Sequence, residues 1–124
     1  MLDNESSDYE LDALLALDRT SYEWRQGYVL EFSAWRVSPT PQRPHGLRYA
    51  LVLRRKTDGK VLVRYDNAHG LRRQGRGYAR QASAHDHRHK GSKVRPYAYT
   101  SPSQLLEDFF ADVQEVIGRE QEHR

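Results

Sequence analysis

The sequence predicts an α+β domain: an antiparallel meander sheet of four to five strands packed against a C-terminal amphipathic helix. Three observations predict it. Residues 28–37 alternate, with Tyr28, Leu30, Phe32 and Ala34 on one face, as a half-buried strand does. Asp58-Gly59 stands between two short apolar runs, a hairpin signal. Leu105, Leu106, Phe109, Phe110, Val113, Val116 and Ile117 recur at spacings of three and four, which lays one apolar stripe along a helix. A chain of 124 residues fits one domain with a modest core.

The elements follow in order. Residues 1–12 read as an acidic flexible leader without apolar periodicity. After it, Leu11, Leu14, Leu15 and Leu17 suit a short helix, whereas residues 15–24 suit a strand with Leu15, Leu17, Tyr22 and Trp24 partly inward. Gln26-Gly27 supplies a turn, so 14–25 and 28–37 read as a hairpin, ended by Pro39, Pro41 and Pro44. Residues 49–55 and 61–66 form the next hairpin around Asp58-Gly59. Residues 67–84 hold Gly70, Gly75 and Gly77 among arginines, and 70–84 reads as a basic flexible loop. Residues 86–91 fit a short strand or an ordered loop. Ser101-Pro102 starts the helix, with Ser101 as cap, and Gly118 ends it near residue 117. The domain proper spans 13–118, and 119–124 is a polar tail.

Charge is distributed unevenly. Residues 1–35 carry eight acids and two bases, and residues 96–124 carry six acids and two bases. Residues 36–95 carry sixteen Lys/Arg against Asp58, Asp66 and Asp86, a net of +13. Most of the sixteen are arginine, whose planar fork matches phosphate and stacks on bases. One sign sustained over sixty residues points to a polyanion-facing surface, with RNA the first choice of partner. The chain has no cysteine, which excludes disulfides, thiolate metal sites and a cysteine nucleophile. It has no apolar run of membrane-spanning length and an acidic start, so the cytoplasm is the expected compartment.

Five of the six histidines fall between residues 45 and 89, and His85, His87 and His89 alternate. On a strand these three share a face, with Asp86 and Arg88 on the other. Three readings are open. Imidazole both takes and gives a proton near neutrality, so His87 or His89 suits acid–base cleavage of RNA, with His69, Arg88 and Lys90 in support. Two histidines two apart suit a metal, with Asp66 or His69 completing the shell. Plain phosphate contact is the third. The surrounding arginines repel cations, which disfavours a metal, and they depress histidine pKa values, which favours a neutral base.

Several short motifs stand in order along the chain: Trp35-Arg36-Val37 followed by prolines, Tyr65-Asp66-Asn67, His87-Arg88-His89, Pro96-Tyr97, and the helix start Ser103-Gln104-Leu105-Leu106-Glu107-Asp108-Phe109. Together they resemble the TumE family of toxin–antitoxin toxins. The resemblance implies a small prokaryotic toxin paired with a helix-turn-helix antitoxin, tips residues 12–24 toward a strand, and carries over Asp66, Asn67, His87 and His89. Two segments look additional to the family pattern: the basic stretch 70–84 and the acidic leader.

The candidate catalytic residues are therefore His87, His89, Asp66 and His69. Arg88, Lys90, His85, Arg72, Arg73, Arg76, Tyr65 and Asn67 are candidates for substrate binding, and no metal or cofactor is expected. Asn67 also reads as a turn former, and Asp66 as a group that orients a histidine or pairs with an arginine. Trp24, Trp35, Tyr97 and Tyr99 read as core. The expected activity is metal-independent endoribonuclease cleavage that inhibits translation. The alternatives are a non-catalytic RNA- or DNA-binding module, or nucleotidyl transfer to an RNA end, though no P-loop is present.

Overall fold

The structure, a computed structural model, describes residues 2–41, 46–67 and 86–122. Its elements are α1 (Leu2–Leu15), β1 (Thr20–Trp24), β2 (Tyr28–Arg36), β3 (Leu47–Arg55), β4 (Val61–Asp66), β5 (Asp86–Lys90), β6 (Lys93–Tyr97) and α2 (Pro102–Glu122). The strands form one sheet in the order β1-β2-β3-β4-β5-β6 with every neighbouring pair antiparallel. The expected α+β meander is therefore present, with six strands among the described residues instead of four to five. Residues 93–97 were given no strand by the sequence. β6 is the last strand of the sheet, and an edge tolerates Pro96 because one side of the strand has no ladder to feed.

One correction concerns the N-terminal segment. The backbone is helical from Leu2 to Leu15, where the sequence suggested a leader running into a strand. The helical alternative wins because its three-and-four spacing drives Leu14 fully into the core, with Leu11 and Leu15 packed beside it. The strand begins only at Thr20, after Arg19 takes a left-handed φ of 63° and Asp18 Oδ1 accepts the Ala34 N–H at 2.9 Å.

The hairpins match their turn signals. Trp24 pairs with Tyr28 across a turn in which Gly27 has φ 103°, and Gly59 takes φ 72° between β3 and β4. Alternation sends Tyr28, Leu30, Phe32 and Ala34 of β2 inward, with Leu47, Tyr49, Leu51 and Leu53 of β3 and Val63 and Tyr65 of β4. Against this face lie Leu105, Phe109, Val113 and Ile117 of α2 and Leu14 of α1, each burial worth about 1.5–3 kcal/mol. Phe109 meets both Phe32 and Tyr65 edge to face.

Ser101 Oγ accepts the Gln104 N–H at 3.1 Å, as expected of the cap. The helix then runs through Gly118 to Glu122 instead of ending near residue 117. Glu120 explains the extra turn: it accepts hydrogen bonds from the Tyr28 hydroxyl (2.9 Å) and from Arg55 Nη1 (2.5 Å), so the helix end is anchored to β2 and β3. Among the described residues no helix is long and apolar enough to cross a membrane.

Candidate functional site

One face of the sheet is covered by α2, and no described helix or strand packs on the other. β5 decides which of the candidate side chains goes where. Its residues pair with β4 as Asp66↔His87, Tyr65↔Arg88, Arg64↔His89 and Val63↔Lys90. Because side chains alternate along a strand, His87 and His89 join Asp66 and Arg64 on the uncovered face, while Asp86, Arg88 and Lys90 join Tyr65 and Val63 on the helix face.

The uncovered face holds a compact set of titratable groups. The His87 and His89 rings lie 6.3 Å apart between centroids, edge to face. Asp66 is only 5% exposed, and its Oδ2 is 2.5 Å from Arg64 Nε. Burial pushes the His89 pKa below the ordinary imidazole value; Asp66 pulls it up, and Arg64 and His87 push it further down. These influences together favour the neutral form of His89. Nearer the far end of the same face, the Arg48 guanidinium sits 5.3 Å from the Trp35 ring centroid. Trp35 is 42% exposed, so it is not the core residue that the sequence suggested.

The helix face does something different with its cations. Arg88 donates from Nε (2.7 Å) and Nη2 (2.8 Å) to the two oxygens of Asp112 on α2. The Tyr65 hydroxyl donates to the same carboxylate at 2.5 Å, and Lys90 reaches both Asp112 (3.4 Å) and Glu115. Burial alone would raise the Asp112 pKa, but the hydrogen bonds from Arg88 and Tyr65 outweigh it and hold the group below its ordinary value. The Arg88 pKa is raised by the hydrogen bond with Asp112, and burial raises that of Tyr65. Tyr65 is fully buried and Arg88 and Lys90 point away from the histidines, so the sheet does not bring these three to the same site.

Asn67 is also committed elsewhere. Its amide donates to the Leu47 carbonyl at 2.6 Å and accepts from the Tyr49 N–H at 3.0 Å, tying the end of β4 to the start of β3. Tyr49 in turn donates to the buried Asp86 at 2.5 Å, and Tyr99 stands edge to face against it. Tyr99 is buried, and Tyr97 packs on the core with its hydroxyl on Asp108. His69, Arg72, Arg73, Arg76 and His85 lie outside the described residues.

The sequence did not single out Arg64, although the signal was available: two positions before Asp66 on a strand means the same face. It also did not find a groove of about 850 Å³ between the C-terminal half of α2 and the β5–β6 hairpin, lined among others by Lys60, Lys93, Arg95 and Arg119. Among the described residues no three His, Asp or Glu side chains converge as a metal would require.

No curated protein and no solved structure matches the chain. A family description, Toxin TumE, matches residues 3–117. The match begins at residue 3, so the acidic N-terminal segment, which looked like an addition, falls within the family's own span. With nearly the whole chain matched, the protein belongs to the TumE family, which makes it the toxin of a toxin–antitoxin system with an antitoxin as its partner.

Proposed function

We propose that this toxin is an endoribonuclease that inhibits translation in the cytoplasm, cleaving RNA with the His87–His89 pair and needing no metal for the chemical step. The observation that carries the reading is that pair, standing beside Asp66 and Arg64 on a sheet face uncovered by any described element. His89, held neutral by burial, takes the proton from a ribose 2′-hydroxyl. The freed oxygen attacks phosphorus, the bond to the 5′-oxygen breaks, and His87 donates the proton that this leaving oxygen needs. The products are a 2′,3′-cyclic phosphate and a 5′-hydroxyl, so atoms and charge balance. Asp66 steadies the site from beneath, and Arg64 lends positive charge to the phosphorane. The antitoxin carries a helix-turn-helix domain, as the family resemblance implies.

Expression of the intact protein should arrest growth, and the purified protein should cut RNA to cyclic-phosphate ends in the presence of a chelator. A His87→Ala/His89→Ala double variant should be folded and harmless. Equal toxicity and equal cleavage by that variant would show that the chemistry lies elsewhere.

A further inference from the structure

The groove between α2 and the β5–β6 hairpin is separate from the histidine pair, yet only one strand divides them. β6 is the edge strand. Its Lys93 and Arg95 line the groove, whereas Val94 and Pro96 pair with His89 and His87 and share the histidine face. Neighbouring strands lie about 4.8 Å apart, so a chain leaving the groove over the β6 edge arrives at the histidines almost at once.

The cations of the groove fall into two groups. Four have acids of their own: Arg88 and Lys90 hold Asp112, Arg55 holds Glu120, and Arg119 holds Glu115. Lys60, Lys93 and Arg95 line the same groove, are exposed, and have no ion pair among the described residues. A merely solvated surface gives no reason for three unpaired cations to ring one concavity while most of their neighbours are neutralised.

We infer that this groove binds the phosphate backbone of single-stranded RNA flanking the cleavage point, so that the substrate wraps the β6 edge from Lys60, Lys93 and Arg95 to the histidine face. The inference rests on the proposed cleavage for its choice of RNA over an acidic protein segment, because the groove opens towards the residues that would cut. Its consequence is a dependence on substrate length. RNA long enough to fill both places binds and reacts better than RNA that reaches only the histidines.

The test compares the intact protein with a Lys60→Gln/Lys93→Gln/Arg95→Gln variant, using fluorescein-labelled oligouridylates of about 4 and about 16 nucleotides. Binding is read by anisotropy across a salt series, with His87→Ala/His89→Ala added to both proteins so that nothing is cut. Each phosphate contact to a single strand contributes about 0.7 to the log–log salt slope, so losing three should flatten the slope for the longer RNA by about 2. In the cleaving background, kcat/KM for the longer RNA should fall towards that for the shorter, whose rate stays as it was. Identical salt slopes for the two proteins would overturn the inference. So would a polyglutamate peptide binding the groove where oligouridylate does not, because the occupant is then an acidic protein segment. A flattened slope from a protein that cuts neither RNA supports the groove as an RNA site and sinks the cleavage reading instead.

Discussion

The two sides of β5 put neighbouring residues to opposite uses. On the helix side, Arg88 and Lys90 are locked to Asp112 and Glu115, with the Tyr65 hydroxyl on the same carboxylate. On the other side, His87 and His89 stand beside the nearly buried Asp66, which already holds Arg64. One side holds charge that packing has fixed, and the other holds the two imidazoles to which the proposed cleavage assigns the proton transfers. A basic run in a sequence is therefore not yet a basic surface: a strand divides it by alternation, and the facing element decides which half is neutralised.

The largest effect that separates the two sides is on rate. His89→Ala should lower RNA cleavage by about 10²–10⁴-fold while leaving thermal unfolding near that of the parent, because it removes the proposed base and no core contact. Arg88→Ala, one position away, should do the reverse, costing ~2 kcal/mol of stability with cleavage per folded molecule retained. A melting series run beside a cleavage assay reads both, and a rate loss at Arg88 as deep as that at His89 would break the division.

Next comes Asp112→Ala, which strips Arg88, Lys90 and the Tyr65 hydroxyl of their common acceptor. The expected loss is about 3 kcal/mol, a fall in melting temperature on the order of 10 °C. Its pH dependence has a definite sign. The folded pKa of Asp112 lies below its ordinary value, so its contribution is complete above the usual carboxylate range and is lost as pH falls through the lower folded value. Acid unfolding should therefore be closer to pH-independent in the variant than in the parent. A variant that melts with the parent would mean that the cluster does not hold α2 to the sheet.

What could be read in the sequence was whatever obeys a period. The alternation of 28–37 and the three-and-four spacing of α2 gave the sheet and its cover, and the same alternation placed His87 and His89 together opposite Arg88. Facts that depend on a distant partner could not be read. Gly118 looked like a helix end because nothing local says that Glu120 will be held by Arg55 and Tyr28 from two strands. The pairing of Arg88 and Lys90 with Asp112, more than twenty positions on, is recognisable only once α2 is laid across β5. Trp35 looked like core because an aromatic residue at a strand end gives no sign of which face will stay uncovered.

The smallest effect is the sharpest check on the histidine face. Arg64 and Asp66 act on His89 in opposite senses: the carboxylate raises its pKa and the guanidinium lowers it. The acid limb of kcat/KM reports the pKa of the base in the free enzyme. Asp66→Asn removes the raising influence, so the limb should move to lower pH. Arg64→Gln removes the lowering influence, so the limb should move to higher pH. At one fixed pH near the limb each change is worth less than about tenfold, because one pKa unit corresponds to ~1.4 kcal/mol. The opposition carries the test. A substitution that merely loosened the sheet would expose His89 to water and raise its pKa in both variants, because burial is the largest cause of its depression. Limbs that move apart therefore mark His89 as the base under the joint control of its two β4 neighbours, limbs that rise together assign the shift to lost packing around His89, and limbs that stay where they were remove His89 from the chemistry.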